Sequence, residues 1–226
     1  NKFQGYASPR NFALETIDYK NNWVLMLDAD ETLSESIQNE ILQLSEDNSN
    51  TMYSCRRKDY LLSGWLKRSS GYPTWFPRLF KKGECWVERE INEVYKTNGD
   101  TGSLNGHLHH FPFNKGLSEW FIKHVKYSKL EAKLLVEGGD GFVFKNLFSS
   151  DTFKRRAAQK SLVYKLPFRP IVVFCIFYFI KKGFLDGKPG LYYCLMKFCY
   201  ELMISCQVFE IKSKKIFNSE LKSENS

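Results

Sequence analysis

No two cysteines stand at C-x-x-C spacing in this 226-residue chain, no apolar run reaches bilayer length without a charge, and no segment repeats or falls into low complexity. The missing cysteine pairs exclude a zinc ribbon or a dithiol redox centre. The six cysteines (55, 85, 175, 194, 199 and 206) are scattered, four of them in apolar segments where a thiol behaves as a small hydrophobe, which fits a reducing cytoplasmic setting. No basic-then-apolar segment opens the chain, so export is not expected. Recognisable nucleic-acid motifs are lacking too, and the aromatics are interleaved with apolar residues more than with Lys and Arg.

What is present is a core. Hydrophobic residues make up 43% and aromatics 16% of the chain, far from the composition of disordered proteins. A formal charge of +8, from 33 Lys and Arg against 25 Asp and Glu, favours anionic partners: phosphates, nucleic acid or an acidic membrane face. Charge alone does not choose among them.

The spacing of Phe12, Ala13, Leu14 and Ile17 predicts a helix near the start. The apolar run 23–27 has the length of a strand covered on both faces, and it stops at Asp28-Ala-Asp-Glu31. Ser34 is a candidate N-cap for a helix whose apolar face is Ile37, Ile41 and Leu44. Residues 51–95, rich in aromatic and β-branched side chains and broken by turn residues, read as short strands. Leu117–Glu137 has helical periodicity, with Ser128 and Ala132 on its apolar side and Lys123, Lys126, Lys129 and Lys133 elsewhere. Gly138-Gly-Asp-Gly141 ends that pattern as a flexible joint. Beyond it, residues 171–180 are too short to span a bilayer, while 191–209 carry Lys197, Glu201 and Ser205 as one polar stripe. These two segments predict in-plane membrane helices, flanked by Lys165, Arg169, Lys181 and Lys182. The Lys/Ser/Asn-rich tail, residues 212–226, is expected to be disordered.

Three carboxylates within four residues at a strand end repel one another unless a cation or proton compensates them. A hard divalent ion, Mg²⁺ or Mn²⁺, suits carboxylate oxygens and leaves positions open for phosphate oxygens. The alternative is that Asp28, Asp30 and Glu31 only cap the helix that follows.

The arrangement Arg10-Asn-Phe-Ala-Leu, apolar strand, Leu-Asp-Ala-Asp-Glu31 resembles the middle of the GT-A fold of family-2 glycosyltransferases. Further on, Tyr72-Pro-Thr-Trp75-Phe-Pro-Arg78-Leu-Phe, Trp86-Val-Glu-Arg-Glu-Ile-Asn-Glu93, Leu108-His-His110 and Trp120-Phe-Ile-Lys-His124 follow in order. They resemble the bacterial subgroup that builds lipopolysaccharide core and related cell-surface glycans. The resemblance implies an α/β fold of GT-A type, a Rossmann-like mixed sheet flanked by helices. It further implies that this chain begins after the strand and loop that hold the nucleotide base. On this reading residues 1–137 are the C-terminal part of the catalytic domain, and 138–211 a helical, membrane-associated region.

The implied activity is inverting transfer of a sugar from a nucleotide-diphosphate donor, a UDP-sugar by expectation, to a glycolipid or polysaccharide acceptor. It would take place at the inner face of the cytoplasmic membrane. Asp30 would bind Mg²⁺ or Mn²⁺, with Asp28 beside the metal or ribose, Glu31 of the same acidic cluster binding substrate, and His110 as a further ligand. Glu93 matches the general base, although this chain has Asn92-Glu93 where the subgroup has His-Glu. Arg10 and Arg78 would contact phosphates, and Trp75 would stack on a sugar or fill the core. The competing expectation is a non-catalytic basic module that binds a membrane or nucleic acid.

Overall fold

The computed structural model describes residues 7–45, 49–88, 94–137 and 168–224, with side chains of the final helix as far as 217. The expected joint at 138–141, Lys165 and the general-base candidate Glu93 all lie outside the described residues.

The chain is a mixed α/β protein that divides into two compact units between Pro112 and Phe113. In the first unit, helix α1 (Ala7–Thr16) leads into strand β1 (Trp23–Leu25), then β2 (Glu31–Leu33) and helix α2 (Glu35–Leu42). The strands β3 (Asn50–Leu61), β4 (Gly64–Trp65), β5 (Thr74–Lys81), β6 (Cys85–Glu88), β7 (Val94–Thr97) and β8 (Asp100–His110) complete it. The main sheet runs β1-β5-β3-β8-β2, with β4 attached to β3; β6 and β7 pair separately. Only the β3–β8 pairing is parallel among these, so the sheet is mixed. The apolar run at 23–27 therefore forms an outer strand of this sheet, not a central one, and only its Val24 is buried.

Two clusters form on the sheet. Ala7 and Leu14 of α1 pack with Val24, Met52 and Phe80, while Ile37 of α2 packs with Tyr53, Cys55, Leu79, Leu104 and Leu108. Ser34 caps α2 as expected, its hydroxyl accepting from the Ile37 N–H. Burial pushes the Cys55 thiol up to about 12, which makes it an inert core residue.

The seat of α2 on β8 has a specific cause. Between the pairs Ser54↔Ser103 and Arg56↔His107 the β8 strand carries two extra residues, a bulge that leaves N–H groups without ladder partners. The Glu40 carboxylate of α2 accepts two of them, from Asn105 at 2.7 Å and Gly106 at 2.8 Å. Beyond the bulge, β8 runs on to His110 in register with Asp59.

The second unit is helical. Helix α3 (Leu117–Glu137) matches the expected periodicity, and Ser128 and Ala132 are its buried residues. It packs against the long helix α5 (Gly187–Glu224), where His124 meets the Tyr200 ring at 5.0 Å. Thus α3 groups with the C-terminal helices in the second compact unit. Helix α4 (Arg169–Cys175), a π-helical turn (Ile176–Ile180) and a 3₁₀ turn (Gly183–Asp186) lie between.

Two expectations change here. Helix α5 continues through Glu224, where a disordered tail was expected; Lys and Glu are good helix formers, and Glu210 and Lys214 pair one turn apart at 2.5 Å. Arg169 does not flank a membrane face: it is 6% exposed and forms an ion pair with Glu201, turning part of the α5 polar stripe inward. No described helix is long and apolar enough to cross a membrane.

A methyl group on Gly106 would meet the Ile37 backbone N at 2.8 Å and its Cγ1 at 2.4 Å. Gly106→Ala is expected to push α2 off the bulge and cost roughly 1–3 kcal/mol, read as a lower urea midpoint with an unchanged slope.

Candidate functional site

The acidic loop is a tight turn between β1 and β2. The Glu31 N–H donates to the Asp28 carbonyl at 3.0 Å, and the Asp28 N–H donates to Glu31 Oε2 at 3.3 Å. Because β2 intervenes and Ser34 supplies the cap, the three acids do not cap α2.

Glu31 has a fully buried side chain, gripped by the Arg78 fork through Nε at 2.7 Å and Nη2 at 2.8 Å. Burial pulls the Arg78 pKa down, but the hydrogen bonds to Glu31 and the charges of Glu31 and Asp28 outweigh it, so the guanidinium is held above its ordinary range. Arg78 also reaches Asp28 Oδ2 at 2.7 Å, and Arg10 of α1 takes Asp28 Oδ1 at 2.9 Å. Arg10 donates as well to the Tyr95 hydroxyl.

On the other side of Glu31, Arg57 stands 3.6 Å from Oε1 and 2.9 Å from Asp59 Oδ1, its guanidinium 4.0 Å above the Phe76 ring. Asp59 Oδ1 lies 2.6 Å from His110 Nδ1, and His110 Nε2 faces Asp30 Oδ2 at 3.4 Å. The result is one chain of alternating basic and acidic side chains: Arg10, Asp28, Arg78, Glu31, Arg57, Asp59, His110, Asp30.

The expected residues thus come together in part. Asp28, Asp30, Glu31, Arg10, Arg78 and His110 form one cluster. Three roles change. Both Asp28 oxygens are taken by arginines, so Asp28 is a partner of guanidinium groups and not a ready metal ligand. Arg78 is 4% exposed and committed to carboxylates, which removes it from direct phosphate contact. Trp75 is not in the cluster: its ring lies 5.6 Å from Arg56, and since successive strand residues face opposite sides, it points away from the side of Phe76 and Arg57.

Arg57 and Asp59 escaped the sequence reading. Their signal was the period of two from the apolar Cys55, which puts all three on one face of β3.

The cluster holds four carboxylates against three guanidinium groups, and Asp30 is the carboxylate that no described guanidinium touches. It is also a third exposed, so its carboxylate is open to solvent. Asp59 stands against His110 Nδ1 as a second carboxylate behind metal-binding imidazoles does, and the other nitrogen faces Asp30. One carboxylate oxygen and one imidazole nitrogen suit Mn²⁺ or Mg²⁺ only if further ligands arrive with a substrate. Among the described residues no group of three or more His, Cys, Asp or Glu stands ready to hold a metal ion. No protein-family model matches the chain.

Removing one partner of the buried pair isolates the other. Arg78→Met is expected to destabilise the first unit by about 3–5 kcal/mol, and adding Glu31→Gln should recover part of that loss in a denaturation double-mutant cycle.

Proposed function

We propose that this chain belongs to an inverting glycosyltransferase of the family-2, GT-A type. The donor is a nucleotide-diphosphate sugar, UDP-linked in the simplest case, and the acceptor a glycolipid or polysaccharide of the bacterial cell surface. The single observation that carries this reading is Asp30: a carboxylate without a guanidinium partner, at the exit of an arginine-clamped turn, facing His110.

In this reading Asp30 and His110 would hold Mg²⁺ or Mn²⁺, and the ion would supply charge neutralisation for the departing diphosphate. The chain's own groups do the rest of the positioning. Arg78 and Arg10 fix the turn through Asp28, so Asp30 does not have to be ordered when donor binds. Asp59 keeps His110 turned toward Asp30. Glu93 serves as the base that takes the acceptor hydroxyl's proton, and single displacement inverts the anomeric centre.

A peripheral membrane role for the second unit is part of the same proposal. Phe168, Ile171, Phe179, Ile180, Leu185 and Phe209 are exposed apolar side chains on its helices and turns, and Lys181, Lys182 and Lys188 are exposed among them. Apolar side chains with basic neighbours suit the headgroup region of an anionic bilayer, which is where a lipid-linked acceptor would reside.

The test is turnover of a panel of UDP- and GDP-sugars, with and without Mn²⁺, by the full-length protein and its Asp30→Ala variant. Metal-dependent turnover that falls at least ~100-fold in Asp30→Ala is the expected result, a loss of several kcal/mol of charge stabilisation. Turnover indifferent to both metal and Asp30, or none with any donor, overturns the reading.

A further inference from the structure

The face of the sheet opposite the arginine–carboxylate chain carries a second concentration of charge. Pairing puts Arg56 beside His107 and Trp75, Lys58 beside His109, and Tyr60 beside Trp65. Paired residues share a face, so Arg56, Lys58 and Tyr60 point away from Cys55, Arg57 and Asp59.

This face is built of cations and rings. Lys58 Nζ sits 4.5 Å and Lys67 Nζ 5.3 Å from the Trp65 centroid, and the Arg56 guanidinium lies 5.6 Å from that of Trp75. Tyr60 stacks on Phe111 at 5.2 Å and shares a 3.0 Å hydrogen bond with His109 Nδ1. Trp75 and Phe111 are 44% and 36% exposed, so both rings are open to a ligand.

Among the described residues this face has no counter-ion. Among the described residues no carboxylate lies within 4.0 Å of Arg56, Lys58 or Lys67. Burial and the charges of Arg56 and Lys67 hold Lys58 below the usual lysine range. Burial and Lys58 likewise hold His109 below the usual imidazole range. Like charges gathered in this way cost free energy until an anion arrives. Acids are not scarce in this unit, because Arg10, Arg57 and Arg78 on the other cluster all have carboxylate partners.

We propose that this cationic, ring-lined face is a binding site for an anionic saccharide, a sugar chain bearing carboxylate or phosphate groups. Arg56, Lys58 and Lys67 take the acidic groups, and Trp75 and Phe111 take the apolar C–H faces of the rings. The site holds part of a long acceptor on the side of the sheet away from Asp30. The need for an anion stands on charge and geometry; the choice of a saccharide rests on the transferase reading. Single-stranded nucleic acid uses cations and rings in a related way and is one arm of the test.

Calorimetric titration of the full chain with four probes decides it: a tetragalacturonate, neutral maltotetraose, inorganic phosphate and an eight-nucleotide oligo-dT. Tetragalacturonate is expected to bind more tightly than the other three. Lys58→Gln should weaken it roughly 10- to 100-fold, the loss of one charge-assisted contact. Trp75→Ala should weaken it about 3- to 10-fold, and Asp30→Ala should leave it unchanged. Lys67→Gln, on an exposed side chain, gives the same readout if circular dichroism shows that Lys58→Gln unfolds. No binding, maltotetraose or phosphate binding as tightly as tetragalacturonate, tighter oligo-dT binding, or indifference to both lysine changes overturns the proposal. Tetragalacturonate binding without sugar-nucleotide turnover leaves this site standing and removes the transferase reading alone.

Discussion

The buried fork between Arg78 and Glu31 is the interaction on which the rest of the first unit depends. Glu31 is wholly out of water and Arg78 almost so, an arrangement that costs several kcal/mol per ion in desolvation. Only a bidentate, fully hydrogen-bonded geometry offsets that cost, and this pair has it. The consequence is positional. Arg78 belongs to β5 and Glu31 opens β2, two strands that are not neighbours in the sheet, so the ion pair ties them across the intervening strands. Glu31 in turn accepts the Asp28 N–H, which closes the turn and aims Asp28 at Arg78 and Arg10. Helix α1 is thereby fixed to the same turn through Arg10.

This hierarchy gives the two aspartates of the Asp-x-Asp triplet different work. Asp28 is saturated by guanidinium groups and acts as a structural anion. Asp30 keeps its charge uncompensated by any described arginine, and its backbone carbonyl accepts from Phe111, holding the residue beside the end of β8. A turn in which all the carboxylates were free would be too repulsive to order before a cation bound. With three guanidinium groups among four carboxylates, most of that repulsion is removed during folding, and one carboxylate remains without a described guanidinium partner.

Much of this was legible in the sequence, because the informative signals are local. The Ser34 cap, the helix Leu117–Glu137 and the strand before Asp28 follow from spacing within one element. The outer position of β1, the bulge at residues 104–106 and the partners of Arg78 do not, since each depends on pairing between distant segments. Arginine next to a Pro in a strand reads as a surface cation by composition, and only the register that brings Glu31 to it reveals the burial. Arg169 went astray for the same reason: its partner Glu201 lies a helix away. Glu93, expected as the base, lies outside the described residues.

The strand β3 explains why one sheet presents two charged surfaces. Arg56, Arg57, Lys58 and Asp59 are four charges in succession, which no strand could carry if helices covered both faces along its full length. Its first half is buried, at Met52, Tyr53 and Cys55. Its second half has to run beyond the apolar layers that α1 and α2 form on the sheet. There the alternation of side chains sorts the charges without any further design: Arg57 and Asp59 turn to the face of Glu31 and His110, Arg56 and Lys58 to the face of Trp75 and His109. Glu31 and Asp59 compensate Arg57, and among the described residues no carboxylate pairs with Arg56 or Lys58. The same strand period that builds the core at one end therefore divides the chemistry at the other, with a surplus carboxylate on one side of the sheet and surplus cations on its reverse.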